Sequence, residues 1–211
     1  MDKLVETNSF FFNDGNEPSY NLFFSKTNVY PIVKYEKQLQ QINDYCYMTM
    51  KSFEYKIDEL GHFASNLSDM QYEFEEFTIG SWKDLSDDIS RCTLLMLLLS
   101  YLESSLHEIA KWFCDKKSVI FIEHSKTNNI KHFLEIIGRC CGNDIIVALP
   151  YEMNILNGAI SVRNKFVHKP WDSQFNRDKM FDLCKIINTL AEIFATVETR
   201  AIAACILKES S

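Results

Sequence analysis

The chain has 211 residues, of which 46% are hydrophobic and 24% charged, with only 6 glycines and 4 prolines. This composition excludes intrinsic disorder and disfavours a turn-rich all-β fold, so it favours long helices. The formal net charge of −7 argues against a general nucleic-acid coat protein, which is usually basic. Residues 1–90 hold 16 acidic and 7 basic side chains, whereas residues 91–211 hold 13 and 15, so the small basic excess lies in the second half.

The seven cysteines are irregularly spaced, and no two of them form a CxxC pair. A thiolate zinc site is therefore not expected, and neither a metal nor a cofactor is predicted. The N-terminus lacks the apolar stretch of a secretion signal, and the longest apolar run, residues 92–102, is shorter than the roughly 20 residues that span a membrane. We therefore expect a cytoplasmic protein with reduced thiols and no membrane partner.

Residues 1–30 differ in composition from the rest of the chain. Two aromatic runs, Phe10-Phe11-Phe12 and Leu22-Phe23-Phe24, flank the turn-forming segment Asn13–Pro18. This pattern fits either a short β-hairpin or an aromatic arm packed along a helical body, and the sequence leaves both open. The predicted organisation is an arm or hairpin over residues 1–30 and a helical bundle over residues 31–211.

Apolar residues recur at three- and four-residue steps from Pro31 onward, which predicts a helix that ends near Gly61. A second element over Ser68–Phe77 is left as helix or strand. A long helix is predicted from about Lys83 to Asp115, and its stretch Leu94–Leu106 is apolar nearly all round. Such a helix is expected at the centre of a bundle.

Three further helices complete the prediction. One begins after a loop over residues 116–129, is capped by Thr127 or Asn128 and ends at Gly142. The next begins at Pro150 and ends before Pro170, and the last covers about residues 175–207. The buried side of the Pro150 helix is predicted to comprise Met153, Leu156, Ile160, Val162, Phe166 and Val167. The predicted fold class is all-α, an antiparallel bundle of about five helices.

The segment Arg163-Asn164-Lys165-Phe166-Val167-His168 carries the chemistry. At about 100° per residue, Asn164 and His168 share one helix face, and Arg163 lies about 140° from His168. Arg163 is still expected to reach the same ligand, because its side chain is long and the helix frays at His168 before Pro170. Arginine offers a planar fork that matches phosphate oxygens, and imidazole can exchange a proton near neutral pH. An amide at Asn164 can orient either the imidazole or the scissile phosphate. These groups suit a metal-independent ribonuclease that uses the RNA 2′-hydroxyl as nucleophile.

A single histidine serves poorly as both base and acid on opposite sides of one phosphorus atom. Two copies of the chain facing each other across a two-fold axis would supply two imidazoles and two guanidinium forks. We therefore expect a homodimer that binds RNA at a shared site. Lys165, Lys169 and Trp171 are the candidates for further RNA contact, Trp171 by stacking on an unpaired base or, alternatively, by closing the helix end.

Residues 83–205 resemble the HEPN superfamily of helical-bundle ribonucleases and toxins. The resemblance rests on the apolar helix with Ser100-Tyr101-Leu102-Glu103, on the segment Ile160–His168 and on a long closing helix. It implies that Arg163, Asn164 and His168 are the catalytic set and that Glu103 approaches them from the neighbouring helix. It also implies a toxin or phage-defence role, with an antitoxin or regulatory protein as a partner. Some such toxins carry a modifiable tyrosine two residues after the histidine, where this chain has Pro170.

Alternatives remain open on the sequence alone. Glu103 either meets Arg163 or His168, or lies on an exposed stripe beside Ser104 and His107. The same bundle could also be a non-catalytic module for dimerisation or for nucleotide or RNA binding. A helical protein unrelated to the superfamily would be indicated by His168 pointing away from Arg163.

Overall fold

The structure is a computed structural model that describes residues 12–13, 17–18, 25–27, 29–67, 70–123, 128–168 and 182–207, with residues 12–13, 17–18, 87 and 88 described by backbone alone. Helices dominate these residues, which confirms the predicted all-α bundle. The exception is a two-residue ladder in which strand β1, Phe12–Asn13, pairs with strand β2, Glu17–Pro18, in antiparallel register. This pairing is the one that a hairpin across Asn13–Pro18 requires. Apart from Phe12, the aromatic runs beside it lie outside the described residues.

Helix α1 spans Ile32–Ala64. It passes through Gly61, so the predicted stop at that glycine is wrong. A Cβ at Gly61 would meet no neighbouring atom, and the helix continues because Phe63 packs on Phe74 across the following turn, with ring centroids 5.3 Å apart. Tertiary packing here outweighs the weak helix propensity of glycine.

The helix predicted from Lys83 begins twelve residues earlier and runs without a break over residues 71–117. It comprises α2 (Gln71–Glu73), α3 (Gly80–Asp84) and α4 (Arg91–Lys117), which are joined by π-helical turns over Phe74–Ile79 and Leu85–Ser90. The segment of undecided identity, Ser68–Phe77, is therefore helical from Gln71. Each junction residue keeps right-handed helical dihedral angles, which is why the rod is unbroken.

Helix α1 lies antiparallel to this rod along its whole length. Tyr35 meets Tyr101, Phe53 meets Trp82 and Phe63 meets Phe74, with ring centroids 6.3, 6.1 and 5.3 Å apart. As the residue number rises along α1, that of the contacted residue falls. The two helices therefore form one long hairpin.

Helix α4 is the centre of the core. Six of its leucines, Leu94, Leu95, Leu98, Leu99, Leu102 and Leu106, are at most 3% exposed. They are covered by α1 and by α5 (Asn129–Cys141), α6 (Pro150–His168) and α7 (Leu183–Ala203). One detail differs from an antiparallel arrangement: α5 runs in the same direction as α4, since Glu103 meets Asn129 and Cys114 meets Cys140.

Capping residues fix the helix boundaries. Asn128 caps α5 by accepting a hydrogen bond from the Lys131 N–H at 3.1 Å, and Gly142 ends it with a φ of 67°, both as predicted. Helix α7 is shorter than predicted. Asp182 is extended and accepts a hydrogen bond from the Lys185 N–H at 3.2 Å, so it caps a helix that begins at Leu183 and not near residue 175.

The cysteines are free, and five of them are buried. Burial raises the pKa of Cys46, Cys114 and Cys141 to about 12, so these side chains are neutral thiols that pack as small apolar groups. Among the helices that the structure describes, none is long and apolar enough to cross a membrane.

A buried carboxylate fastens the segment before α1 to α7. Glu198 is only 1% exposed, yet it accepts hydrogen bonds from the hydroxyls of Ser25 and Thr27 and from the N–H groups of Lys26 and Thr27, all at 2.7–3.0 Å. Charge-assisted bonds of this length offset the cost of burying a carboxylate. Glu198 therefore fixes the path by which the N-terminal segment enters the bundle.

We expect Glu198→Gln to lower the free energy of unfolding by about 1–3 kcal/mol, because an amide cannot accept all of these donors and leaves some unsatisfied. Urea unfolding of the two proteins measures the difference. Glu192→Gln, an exposed site on the same helix, is the control and should change stability by less than about 0.5 kcal/mol. Equal stability of Glu198→Gln and wild type would contradict this role.

A second cluster joins the start of α1 to α4. Glu108 accepts hydrogen bonds from Lys34 at 2.7 Å and from the hydroxyls of Tyr30 and Tyr35. Partial burial tends to raise the pKa of Glu108, but the hydrogen bonds from Lys34, Tyr30 and Tyr35 outweigh it and lower the pKa from 4.5 to about 2. Burial is the main cause that raises the pKa of the Tyr35 hydroxyl, and its hydrogen bond to Glu108 raises the pKa further. The hydroxyl therefore stays protonated and acts as a donor.

The lowered pKa of Glu108 predicts that the contact between α1 and α4 stabilises the fold less at acidic pH. The contribution of Glu108 to stability is complete above its unfolded-state pKa of 4.5 and is lost as the pH falls toward about 2. Wild type should therefore be more stable than Glu108→Gln near neutral pH, and the difference should shrink below pH 4.5. Urea unfolding at a series of pH values tests this, and a difference that stays constant with pH would contradict it.

Candidate functional site

Helix α6 places the sequence motif, and its first turns are anchored in the core. Met153, Leu156 and Ala159 are buried, and Ile160 and Val162 pack partly buried against the same core. At the helix start, the Asp144 carboxylate accepts hydrogen bonds from the N–H groups of Ile146 and Val147, which orders the turn before Pro150. The motif therefore lies at the C-terminal end of a helix whose first turns are packed against the core.

Arg163 continues the buried stripe of α6, because it follows Leu156 by seven residues, or almost two full turns. Its side chain is half-buried, and its Nε is shielded from solvent without a hydrogen-bond partner among the described residues. A buried guanidinium nitrogen that lacks an acceptor is costly. This end of α6 thus presents an unsatisfied donor.

Asn164 and His168 are both exposed, and their four-residue spacing puts them on one face of α6. Lys165 is also exposed. The structure differs from prediction at Val167, which was expected to face inward but is 51% exposed, while Phe166 is half-buried. The last turn of α6 extends past the core, so apolar residues there reach solvent beside the polar pair.

Within one chain the predicted catalytic set is only partly assembled. Asn164 and His168 lie together, whereas Arg163 is about 140° from His168 around the helix. In the part of the chain that the structure describes, no hydrogen bond joins Arg163 to His168. A site that uses all three therefore needs another element beside α6.

Glu103 is held by a different helix. Its carboxylate accepts a hydrogen bond from the Asn129 amide of α5 at 2.7 Å. Neither Arg163 nor His168 forms an ion pair or hydrogen bond with Glu103 in the described ranges. Of the two interpretations of Glu103 open from the sequence, the structure favours the polar stripe that also carries Ser104 and His107.

That stripe lines a cleft of about 360 Å³ between α4, the loop after it and α5. The imidazole of His107 lies 3.8 Å from the Glu123 carboxylate and meets the rings of Phe121 and Phe133 edge-on at 5.2 Å. Carboxylates, hydroxyls and an imidazole around a cleft can bind hydrogen-bond donors or cations. The lining residues are Ser100, Glu103, Ser104, His107, Glu123, Asn129 and Phe133.

Sequence reasoning found the α4 side of this cleft and missed the other. Polar residues at positions 100, 103, 104 and 107 interrupt an apolar helix at helical spacing, which is the available signal. Glu123 and Asn129 carry no such periodicity, since they come from a loop and a helix start. Across the described ranges, no three His, Cys, Asp or Glu side chains converge as metal ligands.

Two of the candidate RNA-contacting residues, Lys169 and Trp171, lie outside the described residues, as does Pro170. Comparisons with models of protein families, with curated proteins and with solved structures found no match to this chain.

The exposure of the motif predicts that its residues contribute little to stability. Asn164→Ala and His168→Ala should each change the free energy of unfolding by less than about 0.5 kcal/mol. Leu156→Ala, on the buried side of the same helix, should cost about 2–5 kcal/mol. Urea unfolding compares the three, and a large loss in His168→Ala would show that this histidine has a structural role.

Proposed function

We propose that the protein is a metal-independent endoribonuclease of the toxin or phage-defence type, with an active site shared by two copies of the chain. The observation that carries the proposal is the exposed Asn164–His168 pair at the projecting end of α6, next to an arginine whose Nε lacks a partner in the described part of the chain. A guanidinium fork matches phosphate oxygens, and an exposed imidazole can exchange a proton with a bound RNA.

Each residue has a role in the proposed reaction. His168 takes the proton of the 2′-hydroxyl or returns one to the leaving 5′-oxygen, Arg163 stabilises the charge on the phosphate, and Asn164 orients the imidazole or the phosphate. The oxygen–phosphorus bond from the 2′-hydroxyl forms as the bond to the 5′-oxygen breaks. The products are a 2′,3′-cyclic phosphate and a 5′-hydroxyl.

A site shared by two chains would supply the groups that one chain does not bring together. Arg163 and His168 diverge around α6, so a second copy of the helix is the simplest source of the missing groups. Val167, 51% exposed, and the half-buried Phe166 offer apolar surface at this end of the helix for such a pairing. In this proposal the protein acts on cytoplasmic RNA, and an antitoxin or regulatory protein restrains it.

The second candidate is a non-catalytic bundle that dimerises or binds a nucleotide or RNA through the same helix end. The partial burial of Arg163 and its separation from His168 favour this alternative, because both also fit a structural arginine. It predicts that substitutions in the motif weaken dimerisation or ligand binding while RNA stays intact.

The test is incubation of the purified protein with mixed cellular RNAs in EDTA, with mass spectrometry of the new ends. Wild type should produce 2′,3′-cyclic phosphate ends, and His168→Ala should cut at least about 100-fold more slowly, since general acid–base catalysis contributes a factor of that order. Arg163→Lys should also lose activity, because lysine keeps the charge and lacks the fork.

The matched control is His62→Ala, which removes an exposed histidine on another helix and should cleave as wild type does. Absence of cleavage by wild type, or equal cleavage by wild type and His168→Ala, would overturn the catalytic proposal. In the first case, loss of dimer in Arg163→Lys would favour the non-catalytic candidate.

A further inference from the structure

One part of the long hairpin extends beyond the five-helix core. We call residues 45–64 of α1 and residues 70–90 of the following rod the distal arm. Helix α7 begins only at Leu183, and α1 runs antiparallel to it from the Tyr35–Phe194 stack, so the two helices part near Cys46. Beyond that level the described residues of the arm are two helices thick and bury little, namely Cys46, Met50, Ala64, Ile79 and Ser86.

Residues 45–64 of α1 carry two sets of apolar side chains, each forming a stripe along the helix. Cys46, Met50 and Ala64 form the buried stripe against the rod. A second set, Tyr45, Met48, Tyr55 and Phe63, is exposed and falls within an arc of about 80° on the other side of the helix, an arc that also holds Ser52 and Glu59. A soluble helix normally has one such stripe and a polar opposite face. Apart from the contact of Phe63 with Phe74, no element covers the second stripe in the described structure.

The turn and the returning helix add further exposed apolar side chains to the arm. Met70, Tyr72 and Phe77 are 63–74% exposed. Half of the large hydrophobic side chains that are exposed in the described part of the chain lie in the distal arm. Isolated exposed apolar residues are ordinary, but a concentration of this kind marks an interaction surface.

The arm is also the acidic part of the molecule. Residues 45–64 and 70–90 contain nine acidic and three basic side chains, a net charge of −6 against −7 for the whole chain. Exposed Glu76 follows Tyr72 by four residues, and exposed Glu73 precedes Phe77 by four, so these carboxylates lie on the same helix faces as the aromatic rings. Aromatic faces beside carboxylates are suited to lysine and arginine side chains through ion pairs and cation–π contacts.

Charge selects among the occupants of this surface. A second copy of the arm would bring two strongly negative surfaces together, and nucleic acid or an anionic membrane would meet the same repulsion. A protein segment with basic and apolar residues satisfies both features at once. We propose that the distal arm is a docking surface for a basic, amphipathic segment of a partner protein.

This docking surface is separate from the α6 motif and does not depend on RNA cleavage. The arm is proposed to bind a cationic partner, whereas the α6 motif is proposed to bind an anionic ligand. The α6 end presents Arg163 and Lys165 toward an anionic ligand, whereas the arm presents carboxylates and aromatic rings toward a cationic one.

The proposal is tested with a fluorescent amphipathic peptide that has leucines and lysines at helical spacing, by anisotropy at physiological salt. The full chain should bind it, whereas Tyr55→Ser/Tyr72→Ser/Phe77→Ser and Glu73→Lys/Glu75→Lys/Glu76→Lys should each bind at least about tenfold more weakly. A lysine–serine peptide of equal charge should bind more weakly than the lysine–leucine peptide, because it lacks apolar groups to cover the stripe.

The charge-reversed variant gives the sharpest control, since it should gain affinity for a glutamate–leucine peptide that wild type does not bind. Ile120→Ser/Val147→Ser/Tyr151→Ser removes equally exposed apolar residues from the bundle and should bind the lysine–leucine peptide as wild type does. Circular dichroism and urea unfolding should be unchanged in all variants, because the substituted side chains are exposed.

Three results would overturn the proposal. They are failure of wild type to bind the lysine–leucine peptide, binding that is unaffected by either arm variant, and self-association of wild-type chains that is lost in the Tyr55→Ser/Tyr72→Ser/Phe77→Ser variant. The last would assign the arm to a second copy of the chain.

Discussion

Helix α4 must be covered over most of its circumference, and the rest of the bundle follows from that constraint. Six of its leucines between residues 94 and 106 are almost completely buried, whereas Leu97 lies with Ser100 and Ser104 on the exposed side. Burying a leucine contributes about 1.5–3 kcal/mol, so covering this helix is the largest favourable contribution that its neighbours can make. Helices α1, α5, α6 and α7 each place an apolar face on α4. Glu108 and Glu198 then fix how the N-terminal segment and α1 join this core.

The two surfaces proposed to bind other molecules are the end of α6 and the distal arm. Both lie where a helix continues beyond the buried core. The buried stripe of α6 reaches Ala159 and then leads to Arg163, while Asn164, Val167 and His168 project into solvent. The hairpin of α1 and residues 71–117 likewise continues past α7 as an acidic arm. In both places the helix is stabilised by packing further along its length, so its exposed end can carry residues chosen for contact with another molecule.

The sequence predicts what depends on local pattern. Periodicity placed α4, α5 and α6, and the caps at Asn128 and Gly142 followed from turn chemistry. The errors arise where tertiary contacts decide. Gly61 continues a helix because of the distant Phe63–Phe74 pair, and Val167 is exposed because the core ends before the helix does. For the site, residue spacing placed Asn164 and His168 on one face, but no spacing rule predicts that Glu103 bonds to Asn129.

The central claim is that the α6 motif acts across two chains, and subunit mixing tests it most directly. Wild-type protein is mixed with a large excess of His168→Ala, the chains are allowed to exchange, and RNA cleavage is measured per wild-type chain. A shared site predicts that activity falls in proportion to the fraction of wild-type chains paired with the variant, because each mixed dimer lacks one imidazole. Activity per wild-type chain that stays constant at every mixing ratio would contradict a site built from two copies.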